Sequence, residues 1–123
     1  MTTREEYQAR REAWVEALRS GKYQQAQGML RDNGAYCCLG VVCELSKLGK
    51  WDDDRYVVGK WRLNGELETP VREWIGLYCD AGTYDPAEAN ASLAEQNDTG
   101  ATFSEIADLI EQRASDLFIP EAL

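Results

Sequence analysis

Residues 37–49 read Cys37-Cys-Leu-Gly-Val-Val-Cys-Glu-Leu-Ser-Lys-Leu-Gly49. Leu39, Val42, Cys43, Leu45 and Leu48 keep near-helical spacing, and the glycine that follows supplies a stop. The spacing predicts a short helix over 38–48. Apolar side chains cover nearly its whole circumference, which places it at the centre of a core rather than on its rim.

The flanking sequence builds outward from that helix. Just before it, Asp32-Asn33-Gly34 is a strong turn, so Lys22 to Arg31 and Ala35 to Cys38 are expected as the two arms of a hairpin. Further upstream, Thr3 and Glu6 have capping-box spacing, and Tyr7, Trp14, Val15 and Leu18 fall on one face until Gly21, predicting a helix over 4–20. Downstream, Trp51-Asp-Asp-Asp54 reads as a loop, Tyr56, Val57 and Val58 as β formers. Trp61-Arg-Leu63 and Glu66-Leu-Glu68 flank Asn64-Gly65, the preferred two-residue hairpin turn. Thr69-Pro70 resembles an N-cap followed by proline and predicts a short helix from Pro70 to Ile75, ended by Gly76. Residues 78–86 read as irregular and 87–96 as a helix. Thr102 and Glu105 form a second capping box ahead of a helix over 103–115.

The expected fold is therefore α+β in one domain over residues 1–123. N- and C-terminal helices and the central short helix pack with two β-hairpins or a small antiparallel sheet. Trp14, Leu18, Leu39, Val42, Leu45, Phe103, Ile106 and Ile110 are the expected shared core. A chain of 123 residues with 44% hydrophobic and 28% charged residues has ordinary globular composition and enough apolar surface for one core.

The net charge is −9, unevenly placed. Residues 1–72 hold 12 Lys or Arg against 11 Asp or Glu, whereas 73–123 hold 11 acids and Arg113 alone. Such a second half repels phosphate backbones, so general nucleic-acid binding is not expected. It reads either as a solvated face or as a DNA-like surface aimed at a DNA-binding protein. The charged start MTTREEYQARREAW lacks the apolar stretch of a secretory signal, and no run approaches a membrane span. A cytosolic setting follows as the expectation, with Cys37, Cys38, Cys43 and Cys79 as reduced, buried thiols.

Histidine is absent. That removes Ser-His-Asp and Cys-His nucleophilic pairs, HExxH zinc sites and the usual general base near neutral pH. Neither GxGxxG nor GxxxxGK[ST] occurs, and the cysteine spacing fits no zinc motif. No cofactor, metal site or catalytic residue is assigned. An enzyme would have to use a carboxylate pair, with Asp52-Asp53-Asp54 the densest run, or Cys38 at a helix N-terminus.

Binding chemistry is better represented. Lys22, Tyr23, Arg31, Tyr36, Trp51, Arg55, Lys60, Trp61 and Arg62 interleave cations with aromatics across the two expected hairpins. Aromatic faces stack bases and cations hold phosphates, so these residues are the candidate site for a small anionic nucleotide. The alternative is ordinary hairpin decoration, aromatics over the core and cations in water.

Tyr36-Cys-Cys-Leu-Gly-Val-Val-Cys43, Gly21-Lys-Tyr-Gln24, Leu93-Ala-Glu-Gln-Asn-Asp98 and Phe103-Ser-Glu-Ile-Ala-Asp108 carry a resemblance that spans most of the chain. It resembles a family of small proteins encoded by tailed bacteriophages and prophages. Members tend to have a glycine in the segment after Gln24, where this chain has Ala26. The resemblance implies expression in the cytoplasm of a bacterial host and supplies no catalytic residues. Small accessory phage proteins commonly bind a host component, so counter-defence by binding is the expected role. Its forms are sequestration of a nucleotide signal, for instance within a homo-oligomer, or blockade of a host protein. A minor virion or assembly factor is the structural alternative.

Overall fold

The Thr3 hydroxyl accepts from the Glu6 amide at 3.1 Å while the Glu6 carboxylate accepts from the Thr3 amide at 3.0 Å, so the first helix opens on the expected capping box. This helix, α1 (Arg4–Arg19), turns Trp14, Val15 and Leu18 inward. The computed structural model describes residues 2–123. After α1 come β1 (Arg31–Asp32), β2 (Ala35–Tyr36), α2 (Cys38–Ser46), β3 (Lys50–Asp52), β4 (Arg55–Val58) and β5 (Trp61–Leu63). Next are α3 (Thr69–Ile75), α4 (Leu93–Asp98), α5 (Phe103–Gln112), α6 (Ala114–Leu117) and a 3-10 turn, Pro120–Ala122. The fold is α+β, with helices around α2 and two small antiparallel sheets, β1-β2 and β3-β4-β5.

Helix α2 is the hub. Every residue from Cys38 to Cys43 is buried, and the Trp14 indole Nε1 reaches from α1 to donate to the Cys38 carbonyl at 3.0 Å. Gly40 is required by close approach: a Cβ there would stand 1.9 Å from the Leu30 carbonyl oxygen. The segment before β1 thus lies directly on the helix. The helix ends two residues earlier than the spacing predicts, because Lys47 takes the left-handed conformation at φ 53°. Gly49 serves instead to let β4 approach, since a Cβ there would meet the Val57 carbonyl oxygen at 2.1 Å. Leu45 is consequently half-buried and Leu48 exposed, whereas the other expected core residues are buried.

Asn33 (φ 51°) and Gly34 (φ 81°) make the first hairpin turn where it is expected. Its first arm is mostly not a strand. Only Arg31 and Asp32 pair, while Gln25 forms a parallel bridge with Tyr36 and the Ala26 amide donates to the Tyr36 carbonyl at 2.7 Å.

The second sheet corrects the sequence reading more sharply. Asn64-Gly65 is not a hairpin turn, and Glu66 to Glu68 is not a strand. Of the Trp51-Asp-Asp-Asp54 run, expected as a loop, Trp51 and Asp52 belong to β3, and Asp53 at φ 57° turns β3 into β4, while Gly59-Lys60 turns β4 into β5. The Asn64 carbonyl is occupied by the Leu30 amide at 2.5 Å, which ties the chain after β5 to the hub.

In the second half, the expected helix over 87–96 lies later, at Leu93–Asp98, capped by the Ser92 hydroxyl. The helix expected over 103–115 stops at Gln112, and Ala114–Leu117 forms a separate turn that brings Phe118 edge-on to Trp14, centroids 6.4 Å apart. Cys37, Cys38 and Cys43 are buried, but Cys79 is exposed, contrary to expectation.

Candidate aromatic and cationic site

Tyr23 follows α1, Tyr36 ends β2, and Trp51 lies at the middle of β3, so the three rings come from separate elements. They meet edge to face, Tyr23 to Tyr36 at 5.4 Å and Tyr36 to Trp51 at 5.7 Å, and Trp51 continues onto the buried Tyr56 at 4.9 Å. Such pairs add about 0.5–1.5 kcal/mol each beyond their area burial. The Tyr56 hydroxyl accepts from the Gly49 amide at 2.8 Å, fixing the β3–β4 side of the series.

The Arg31 guanidinium lies over two of these rings, 5.9 Å from the Tyr36 centroid and 5.4 Å from that of Trp51. Arg31 is half-buried, and its Nε is buried without a hydrogen-bond partner. None of the ion pairs among the described residues involves it. Glu44 accepts from the Trp51 indole at 2.7 Å through one carboxylate oxygen. Burial and the Glu44 charge both push the Tyr23 and Tyr36 hydroxyls above their usual range, with Arg31 opposing this at Tyr36, so both stay protonated donors near neutrality.

Two hollows adjoin the series. One, about 230 Å³, lies between Ala13 and Ala17 of α1, Lys22, Tyr23 and Leu45. The other, about 310 Å³, is lined by Arg31, Asn33, Gly34 and Asp53, that is, by the tips of the β1–β2 and β3–β4 hairpins.

Of the nine sequence candidates, Lys22, Tyr23, Arg31, Tyr36 and Trp51 come together here. Lys60 and Trp61 form a separate pair, the ammonium 5.7 Å from the ring centroid. Trp51, Tyr56 and Leu63 are register partners on the inner face of the sheet, so the pleat puts Arg55 and Arg62 on the outer face. Both are exposed, and Arg62 borders a hollow it shares with Glu66, Glu68 and Asp80. Asn33, Glu44 and Asp53 were missed by sequence reasoning. The turn chemistry of Asn33-Gly34 was the available signal for the first. Asp53 stood out only as part of the Asp52-Asp53-Asp54 acidic run, read for carboxylate chemistry and not for binding, and Glu44 carried no signal.

The remaining nucleophile candidate behaves differently. Cys38 is fully buried, and burial above all holds its thiol well above the ordinary range, as it does for Cys43, while Cys37 is pushed up to about 11. A thiolate nucleophile near neutral pH is disfavoured at all three. No cluster of acidic and thiol groups able to hold a metal occurs among the described residues, and none of their helices is long and apolar enough to cross a membrane.

The fold and its ring series thus define a small α+β protein with a polar, aromatic-backed surface. Residues 7–114 match the family described as a domain of unknown function, DUF8296, and the chain belongs to that family. No curated protein and no solved structure matches it.

Proposed function

We propose that the protein acts by binding rather than by catalysis, and that its ligand is a small anionic nucleotide held at the Arg31–Tyr36–Trp51 cluster. The observation that carries this reading is Arg31 itself, a half-buried cation backed by two aromatic rings and paired with no carboxylate among the described residues. A guanidinium so placed has lost part of its hydration and gains most from an incoming anion, while neighbouring ring surface suits a base. The resemblance to tailed-phage and prophage proteins supports the setting: the cytoplasm of a bacterial host, where sequestering a nucleotide signal would counter a defence response.

Calorimetric titration with linear and cyclic nucleotides at two salt concentrations tests the reading. Binding that weakens as salt rises, and weakens at least about tenfold in Arg31→Ala, is expected for a contact to a charged partner. Should no nucleotide bind while a single bacterial protein co-purifies in stoichiometric amount, the nucleotide reading fails and blockade of a host protein replaces it. Turnover of a ligand, abolished by changing one Asp, Glu or Cys, would overturn the binding reading as a whole.

A further inference from the structure

The hollow of about 310 Å³ between the hairpin tips carries both signs of charge. Arg31 lines one part of it and Asp53 another, and the two do not form an ion pair, although they face a common space. A site for a bare anion gains nothing from a carboxylate, which would repel it. A ligand with an anionic group and adjacent hydrogen-bond donors satisfies both walls, because an ionised carboxylate only accepts and a guanidinium only donates.

Resting on the nucleotide reading above, we propose that this hollow selects ribonucleotides, with Arg31 holding a phosphate and Asp53 accepting from the ribose hydroxyls. Its volume lies at the lower end of small-molecule sites, roughly 300–1,000 Å³, enough for a sugar and a phosphate. The base is then left outside, on the side where Tyr36 and Trp51 adjoin Arg31. The Arg31 Nε is covered, so the terminal nitrogens are the donors that meet the phosphate. Asn33 and Gly34, at the turn of Arg31's own hairpin, close the hollow opposite Asp53, and both take left-handed backbone.

The test pairs wild type with Asp53→Asn and compares AMP, 2′-deoxy-AMP, GMP, 2′-deoxy-GMP and inorganic phosphate by calorimetry. Asn tolerates the left-handed backbone that Asp53 occupies, so the turn is preserved, and an unchanged melting temperature confirms it. Wild type is expected to prefer each ribonucleotide over its deoxy form by about tenfold, the effect of one hydrogen bond to a charged acceptor. In Asp53→Asn that preference falls to about twofold or less, while inorganic phosphate binds more tightly because the opposing charge has gone. Equal affinity for ribo and deoxy forms in wild type, or a preference for guanine whatever the sugar, overturns the ribose assignment and leaves the anion reading standing. Absence of binding by every nucleotide, in a wild-type protein that is folded, overturns both.

Discussion

Asn97 is fully buried, and its side chain joins three segments that are distant in sequence. Its Oδ1 accepts from the Cys38 amide at 3.2 Å and from Gln25 Nε2 at 2.9 Å, and its Nδ2 donates to the Ala26 carbonyl at 2.7 Å. The Cys38 amide is one of the N-terminal donors of α2 that have no partner within the helix. In Asn97→Ala, Gln25 keeps its bond to the Ala101 carbonyl, but the Cys38 N–H and the Ala26 C=O lose theirs. Orphaning a buried polar group costs about 1–3 kcal/mol, so the two together cost about 2–6 kcal/mol. Against a whole-domain stability of about 5–15 kcal/mol, that is a large fraction. Urea unfolding followed by tryptophan fluorescence measures it, Trp14 being the buried reporter. A loss below about 1 kcal/mol, no more than an average substitution gives, would show that water or a shifted side chain restores both bonds and would refute the reasoning.

Asn97→Asp separates the hydrogen bonds from the shape. The introduced carboxyl is nearly isosteric, and when protonated its O–H replaces the donor to Ala26. Burial raises its folded-state pKa above the unfolded value of about 3.9. The sign follows: below about pH 4 the variant stays near wild type, and its stability falls as pH rises, until the folded-state carboxyl also ionises. A variant whose deficit relative to wild type is the same at pH 4 and pH 7 would mean that the carboxylate finds donors the Asn97 environment does not show.

Ile106→Ala, at a fully buried position on the inner face of α5, is expected to lose about 2–5 kcal/mol in denaturant unfolding, and a loss under about 0.5 kcal/mol would contradict that packing. A thiol reagent should modify Cys79 rapidly in the native protein and reach Cys37, Cys38 and Cys43 only on unfolding. Rapid native labelling of all four would overturn the burial assigned to them.

The helices were legible wherever capping chemistry and period coincided. Thr3 with Glu6 and Thr102 with Glu105 sit where the chain caps its two best-defined helices, because a capping box is a local bargain between neighbours and needs no tertiary context. The small sheet was misread for the opposite reason. Asn64-Gly65 has the same Asn-Gly hairpin chemistry as Asn33-Gly34, yet the Asn64 carbonyl is claimed by Leu30, more than thirty residues upstream, and the Leu67 amide donates to the Asp80 carbonyl at 3.0 Å instead of to a sister strand. Asp53 accepts left-handed backbone less readily than glycine, but the pairing of Trp51 with Tyr56 over the core fixes the turn on either side of it. Packing overrode turn preference by placing an aromatic pair inward.

The candidate site was legible in composition but not in partition. Cations and aromatics are interleaved along 50–62, and within a strand of period two neighbouring residues go to opposite faces. Arg55 and Arg62 therefore leave the rings they neighbour, whereas Arg31, twenty residues away from Trp51, arrives over it. Asn97 links the fold to the site. By holding Ala26 it fixes the segment whose amide binds the Tyr36 carbonyl, and Tyr36 is the ring on which Tyr23, Trp51 and Arg31 converge. The acidic second half of the chain thus helps position, through Asn97, the aromatic surface of the near-neutral first half.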